Sequence, residues 1–144
     1  MAHHGISGLV GKLVTEIEVH CDADEYYKIF KHQDVPNAVP HLFTGWKVIK
    51  GDGICSGSVK VIDGKTFSAT EESTHTDETR TVHHRIFEGD FMKDFKKFDS
   101  VIQVKPKPDG KGSIVSWSMV YEKRNEDVPA PSLIYLSCIK ALWT

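Results

Sequence analysis

The sequence predicts an α+β fold in which a seven-stranded antiparallel sheet is combined with helices near the two ends of the chain. Three observations support this prediction. An alternating apolar and polar segment opens the chain, six more such segments follow one another, and helical spacing of apolar residues occurs only after the first strand and at the end. At 144 residues the chain is long enough for one domain with a sizeable core, so residues 1–144 are expected to form a single domain.

The regular structure begins with a strand and a helix. Apolar and polar residues alternate from Lys12 to His20, as in a half-buried strand. In the segment 21–33 Asp22 can cap a helix, and Glu25 three residues later completes the pattern of a capping box. Two prolines in the segment 35–43 then allow only a short second helix or a turn.

The middle of the chain reads as consecutive strands joined by hairpins. Asp63-Gly64 and Pro108-Asp109-Gly110 are turn sequences that connect antiparallel neighbours, and Asp77-Glu78 can serve another hairpin. No helical segment separates these strands, so parallel crossover units are excluded. The predicted strands are Gly45–Lys50, Ser56–Ile62, Lys65–His75, Thr79–Glu88, Lys97–Lys105 and Ser113–Lys123.

The last segment predicts a closing helix. Prolines at 129 and 131 suit a helix entrance, and Leu133, Leu136, Ile139 and Trp143 recur at helical spacing. A helix of about 13 residues spans only ~20 Å.

The glycine-rich segment Lys50–Lys60 raises the question of a phosphate site. A phosphate-binding loop lies between a strand and a helix and continues with a Lys-Ser/Thr pair. Here Gly57 is followed by Ser58 and Val59, and both flanks are strand-like. The segment is therefore interpreted as a tight connection between two strands, and any anion site in it would be weak.

Composition excludes several functional classes. The 18 basic and 20 acidic residues are scattered and give a net charge of -2, which argues against nucleic acid. No apolar run approaches the ~20 residues of a membrane span, and the first residues lack the layout of a signal peptide, so a cytoplasmic location is expected. Three widely spaced cysteines predict no disulfide framework. Adjacent histidines on a strand point to opposite faces, so no metal site is predicted at His83-His84.

Four stretches carry a resemblance to a known family. They are SGLVGKLVTEIEV near the start, KGDGICSGSVK at 50–60, HHRIFEGDFMKDFKKF at 83–98 and VYEKRNEDVPAP at 120–131. With them the chain resembles the major latex protein branch of the Bet v I superfamily, also called pathogenesis-related proteins of class ten. The resemblance implies a helix-grip (Bet v I-like) fold, in which a curved seven-stranded sheet wraps a C-terminal helix around an internal ligand cavity.

Two stretches carry a more specific resemblance, to a smaller group of proteins within this family. The opening MAHHGISGLVGKLVTE and the stretch THTDETRTVHHRIFEGD are similar to opium-poppy latex proteins, which include alkaloid-binding major latex proteins, thebaine synthase and neopinone isomerase. Relative to that pattern, this chain has about four residues fewer between Lys60 and Val61, and its closing helix is shorter. The loss after Lys60 is even in number, so side-chain alternation is expected to survive.

Strand alternation predicts which side chains would line the cavity. On the fifth predicted strand Val82, His84 and Ile86 share one face, and their apolar character places it inward. Aromatic members of the set could also hold a protonated alkaloid nitrogen by cation–π contact, worth ~0.5–2 kcal/mol. The expected ligand-binding residues are Tyr27, Phe30, Phe67, Ala69, Val82, Ile86, Phe98, Ser100, Ile102, Val115, Trp117, Met119, Tyr135 and Ile139.

His84 decides between binding and catalysis. Burial between aliphatic residues should lower its pKa and leave a neutral imidazole that can accept a proton. Moving a double bond into conjugation with a ketone needs such a base together with a donor for the enolate. Tyr121 or Tyr27 is the candidate donor, and Glu71 is a competing base. The alternative is a histidine that only satisfies the core.

Three functions therefore remain open at this stage. The first is a latex protein of the cytoplasm that carries a small hydrophobic ligand, an alkaloid of the benzylisoquinoline or morphinan type. The second is a cofactor-free isomerase or lyase of the neopinone isomerase or thebaine synthase kind. The third is a plant defence protein with a vestigial cavity. An exposed apolar flank at Leu142 and Trp143 would favour a homodimer.

Overall fold

The computed structural model describes residues 8–31, 43–64 and 68–130. The closing helix, the flank at Leu142 and Trp143, and nearly all of the segment 35–43 lie outside these residues. The strands are β1 (Val10–Val19), β2 (Phe43–Lys50), β3 (Ser58–Gly64), β4 (Ser68–Thr76), β5 (Thr81–Gly89), β6 (Phe95–Pro106) and β7 (Ser113–Lys123), and the helices are α1 (Ala23–Lys31) and α2 (Phe91–Asp94).

The seven strands form one sheet in the order β1-β7-β6-β5-β4-β3-β2, and every neighbouring pair is antiparallel. The prediction of a seven-stranded antiparallel sheet is confirmed. The first strand pairs with the last along its whole length, from Val10 opposite Glu122 to Val19 opposite Ser113. This pairing places β1 and β2, which are close in sequence, at opposite edges of the sheet.

Helix α1 begins as its sequence predicts. The Asp22 carboxylate accepts hydrogen bonds from the backbone N–H groups of Asp24 and Glu25, at 3.1 and 3.3 Å. The Glu25 carboxylate pairs with Lys28 Nζ at 2.9 Å, so it reaches forward along the helix and only the Asp22 half of the capping box forms. Tyr27 and Phe30 are buried on the face of α1 that packs on the sheet.

We call the face of the sheet that carries the buried side chains the inner face. It holds two apolar clusters. The first joins α1 to the sheet and the second lies around α2 and the start of β6. Partly buried Trp117 packs against both. The first cluster contains Ala23, Tyr27, Phe30, Val82, Ile102, Val104 and Val115, and the second Ala69, Phe91, Phe95, Phe98, Met119, Tyr121 and Val128.

Two local features were not predicted. Strand β5 begins at Thr81 because a 3-10 turn, Asp77–Thr79, occupies the preceding hairpin and Arg80 takes a left-handed conformation with φ of 50°. The Arg80 guanidinium donates to Asp24 Oδ1 at 2.7 Å, which fixes this hairpin against α1. Helix α2 is a single turn of four residues, too short for a helical period to appear in the sequence.

The glycine-rich segment is a tight connection between β2 and β3, as interpreted. Its backbone N–H groups at Ile54 and Cys55 donate to Asp52 Oδ1 at 2.8 and 2.7 Å. These hydrogen bonds hold the pKa of the Asp52 carboxyl well below its usual range. Because a carboxylate of the loop already accepts these N–H groups, they are not offered to a phosphate.

Neither helix of the described residues is long and apolar enough to cross a membrane. Within the same ranges, no group of three or more His, Cys, Asp or Glu side chains is arranged to hold a metal ion. Cys21 and Cys55 are free thiols.

Candidate functional site

The inner face is formed by the side chains that strand alternation assigned to it. On β6 the three predicted residues are all buried, and on β4 Ala69 and Glu71 are buried as well. On β7 Trp117 is half-buried and the other predicted residues are buried. The described members of the predicted lining with buried or half-buried side chains are Tyr27, Phe30, Ala69, Glu71, Val82, His84, Ile86, Phe98, Ser100, Ile102, Val115, Trp117, Met119 and Tyr121.

Four polar side chains lie together on this face, and we call them the inner polar cluster: Lys60, Glu71, Ser73 and His84. The Glu71 carboxylate is central to it. Its Oε1 lies 3.5 Å from His84 Nδ1 and 3.9 Å from Lys60 Nζ. Ser73 Oγ is 2.7 Å from the same His84 nitrogen. The accessible fractions of the side chains are 3% for Lys60, 10% for Glu71 and 15% for His84.

The sheet register explains why these residues meet. Lys60 on β3 lies directly opposite Glu71 on β4, and Ser73 on β4 lies directly opposite His84 on β5. Glu71 and Ser73 are two residues apart on β4, so both point to the inner face. The alternation of β3 is intact after Lys60, since Ser58, Lys60 and Ile62 are buried.

The His84 imidazole is held in its neutral form. Burial lowers its pKa as the dominant effect, Glu71 raises it, and the nearby charge of Lys60 lowers it further. The negative Glu71 oxygen lies on the Nδ1 side of the ring, which favours the tautomer with the proton on Nδ1. In that tautomer Nδ1 donates to Ser73 or Glu71, and Nε2 carries the lone pair that can accept a proton.

The cluster lies between the two apolar clusters of the inner face. On β5, Val82 belongs to the cluster under α1, Ile86 packs against the cluster at α2, and His84 lies between them. Across the β5–β6 pairing, His84 faces Ser100. Ser100 Oγ accepts a hydrogen bond from Trp117 Nε1 at 2.7 Å. A polar band bounded by apolar surfaces is the usual composition of a small-molecule site.

Lys60 was missed by the sequence reasoning. The signal was present, because the predicted strand Ser56–Ile62 places Lys60 on the same face as Ile62. Lysine is rarely buried unless it is paired, so its charge argued for the outer face. Burial lowers the pKa of the Lys60 ammonium, while Glu71 acts in the opposite direction.

The two tyrosines expected to act as donors have other contacts in the described structure. The Tyr27 hydroxyl donates to Asp77 Oδ1 at 2.8 Å, and burial followed by this bond raises the pKa of the phenol. The Tyr121 ring lies over Gly11, where an added Cβ would clash with it, and it packs edge-on to Phe95. In the sheet order Tyr121 lies three strands from Glu71 and two strands from His84. The side chain placed to donate beside His84 and Glu71 is Lys60.

The opposite face of the same strand contrasts with the inner polar cluster. His83 Nε2 lies 2.9 Å from Asp99 Oδ2, and its side chain is 41% accessible. Neighbouring Arg85 is exposed and pairs with Glu72 at 3.4 Å. The two adjacent histidines therefore belong to different environments, as alternation requires.

Of the predicted binding residues, Phe67, Tyr135 and Ile139 lie outside the described residues.

Comparison with known proteins identifies the family. The model of the pathogenesis-related protein Bet v 1 family matches residues 8–142, and the chain belongs to this family. It is 54% identical to Major latex protein 22 of Papaver somniferum over 97% of this chain and 90% of that protein. It is 51% identical to Major latex protein 146 of the same plant, over 99% of this chain and 92% of that protein.

Solved structures agree on the fold. The structure of ginseng major latex-like protein 151 from Panax ginseng matches with a TM-score of 0.81 at 29% identity, over 94% of this chain and 93% of that one. Norcoclaurine synthase from Thalictrum flavum, solved with dopamine and hydroxybenzaldehyde, matches with a TM-score of 0.76 over 93% of this chain and 84% of that one. At 21% identity the second likeness shows the shared Bet v I-like fold alone.

Proposed function

We propose that this Bet v 1 family protein binds a hydrophobic small molecule of the morphinan or benzylisoquinoline alkaloid class against its inner face. The observation that carries the proposal is the buried inner polar cluster between two apolar clusters. The similarity to major latex proteins of opium poppy supports the choice of alkaloids, and the same resemblance favours the cytoplasm of latex cells as the place of action.

The two parts of the inner face suit different parts of such a guest. An apolar ring system would pack between Ile86 and Val82, with Trp117 close to both apolar clusters. Burying that surface stabilises the complex by ~25 cal/mol per Å². A ketone, ether or hydroxyl oxygen of the guest would accept from Lys60, and a protonated amine would lie over an aromatic ring or beside Glu71. Lys60 and Glu71 carry opposite charges, so the cluster accommodates a polar guest without a large net charge.

Calorimetric titration with thebaine, papaverine and noscapine tests the carrier function. We expect saturable binding at micromolar ligand, accompanied by a change in tryptophan emission. Trp117→Phe should remove most of that optical signal, and calorimetry on the same variant reports whether binding persists. Absence of saturation for all three ligands would contradict the proposal.

A second candidate is catalysis of double-bond migration next to a ketone, or of an allylic elimination, without a cofactor. The contact of His84 Nδ1 with Ser73 and Glu71 favours it, because it leaves Nε2 as the acceptor. In the migration, Nε2 would take a proton from the carbon next to the carbonyl, and the Lys60 ammonium would stabilise the enolate oxygen. The same proton would then return to the far carbon of the dienolate, so that no atom is gained or lost.

Conversion of neopinone to codeinone separates the enzyme from the carrier. We expect His84→Phe to lower the rate by about 100-fold or more, the usual contribution of a positioned base. His83→Phe, on the opposite face, is the matched control and should keep the parental rate. A parental rate equal to that of buffer would leave only the carrier function, and equal rates in both variants would remove His84 from the mechanism.

A further inference from the structure

Lys60 has an environment that no other described lysine shares. Among the lysines in the described ranges, it alone is buried, with a side chain 3% accessible. All the others are exposed or half-buried. Surface amines are protonated near neutral pH, because the ordinary lysine pKa is ~10.4. Burial lowers the pKa of Lys60, so a larger fraction of its amine is in the nucleophilic form.

The neighbours of Lys60 supply proton transfer. The distance of 3.9 Å from its Nζ to Glu71 Oε1 is longer than the 2.7–2.9 Å of a charge-assisted hydrogen bond, so the two groups attract without closing such a bond. The same Glu71 oxygen lies 3.5 Å from His84 Nδ1, which can exchange a proton with it. Desolvation of a lysine amine is one of the ways in which proteins activate it for attack on carbonyl groups, and the adjacent carboxylate and imidazole can carry the protons.

We propose that Lys60 Nζ forms a reversible imine with an aldehyde guest bound against the inner face. The neutral amine attacks the carbonyl carbon, a C–N bond forms, and the carbonyl oxygen receives a proton to give a carbinolamine. Glu71 accepts the first proton lost by the nitrogen and passes it to the carbonyl oxygen, and it then moves the second nitrogen proton to the leaving hydroxyl. One water departs as the C=N bond forms, so aldehyde and amine give imine and water, with no oxidant or reductant.

An apolar aromatic aldehyde is the class that fits. The aromatic ring of such a guest would pack against the apolar side chains beside the inner polar cluster. These are Ile62 on β3 and Ala69, which lies opposite it on β4, and both are buried. Exclusion of water from this face favours the imine, since hydrolysis needs water at the same carbon. This inference rests on the proposed function, because the guest must first reach the inner face.

Reductive trapping at pH 7 is the direct test. Intact protein is incubated with benzaldehyde and cyanoborohydride, and modified peptides are mapped by mass spectrometry. We expect the peptide containing Lys60 to be benzylated faster than the peptides containing exposed lysines, because the lowered pKa raises the fraction of neutral amine. Lys60→Met should lose this fast phase and Lys97→Arg, at an exposed position, should keep it.

Peptide mapping on the parent protein needs no variant, so the test holds even if Lys60→Met folds poorly. Labelling spread over exposed lysines with no preference for Lys60 would overturn the inference. Prior saturation with papaverine, which has no carbonyl group, should slow Lys60 labelling if both guests share the inner face. Saturable papaverine binding without Lys60 labelling would overturn the imine and leave the proposed function standing. Lys60 labelling without alkaloid binding would support the imine and contradict the alkaloid carrier.

Discussion

His83 and His84 are adjacent in sequence, and each lies beside a carboxylate, yet they occupy opposite faces of β5. His83 pairs with Asp99 at 2.9 Å and is 41% accessible. His84 lies 3.5 Å from Glu71, is 15% accessible, and has its pKa lowered by burial. The difference shows that the face of the strand, more than the identity of the partner, decides whether a histidine is buried beside the inner polar cluster or open to solvent.

The largest expected effect concerns the two carboxylates. Glu71→Gln should lower the free energy of unfolding by about 3 kcal/mol, because it removes the carboxylate that lies 3.9 Å from the buried Lys60 ammonium. Asp99→Asn, the matched change on the outer face, should cost less, because its partner His83 is 41% accessible and solvent screens the charge that is left. Urea unfolding followed by circular dichroism measures both.

A double variant sharpens this comparison. Replacing the buried pair with apolar residues, as Lys60→Met with Glu71→Leu, should recover most of the stability lost in Glu71→Gln. If the stability lost in the double variant equals the sum of the losses in Lys60→Met and Glu71→Leu alone, desolvation of the Lys60 charge is not the cause of the loss in Glu71→Gln. Equal losses in Glu71→Gln and Asp99→Asn would also show that the two faces do not differ in this respect.

The next effect is the acid sensitivity that His84 confers. Its pKa in the folded state lies below the ordinary value of 6.5, so between these two values the unfolded chain binds a proton that the folded chain does not. Stability must therefore fall as the pH drops below 6.5, by up to ~1.4 kcal/mol per pH unit. The slope fades above pH 6.5 and vanishes about one pH unit higher, where the imidazole is neutral in both states.

Thermal or urea unfolding between pH 7 and pH 5 tests this prediction. His84→Gln should flatten the dependence in that window, and His83→Gln measures the contribution of an exposed histidine of the same strand. An unchanged slope in His84→Gln would mean that folding does not lower the pKa of this imidazole.

The smallest expected effect concerns Ser73. Ser73→Ala removes the 2.7 Å contact with His84 Nδ1 and should cost ~1 kcal/mol of stability. Ser118→Ala, on the outer face of β7, should stay within ~0.5 kcal/mol. The ring of His84 should also become more mobile, which NMR relaxation of its carbon–proton groups would detect. Equal costs for the two serines would show that this contact does not stabilise the inner polar cluster.

The residues of the inner face could be predicted from the sequence because successive side chains of a strand point to opposite faces of the sheet. Alternation assigned His84 and Glu71 to one face, and the hairpin sequences gave the order from β2 to β7. Neither signal contains the pairing of β1 with β7, which joins residues about a hundred positions apart. The hydrogen bond of the Tyr27 hydroxyl to Asp77 was also not contained in the strand pattern, because Asp77 lies in a turn fifty positions away in the sequence.

Lys60 shows that the position of a residue in a strand can outweigh its chemical type in deciding which face of the sheet it occupies. Its charge favoured the outer face, whereas its place between Ser58 and Ile62 favoured the inner one, and the structure follows the position. The reason is the partner across the strand pair: Glu71 compensates the charge that burial would otherwise make costly. A prediction that had combined alternation with cross-strand charge pairing would have found it.

The most direct test of the account is an NMR titration of the histidine rings with thebaine. His84 and His83 are assigned from the two glutamine variants, and their carbon–proton resonances are followed to saturation. The account predicts that the His84 resonances shift saturably, with the affinity measured by calorimetry, while those of His83 stay in place. Saturable binding that leaves His84 unmoved, or that moves both rings alike, would contradict it.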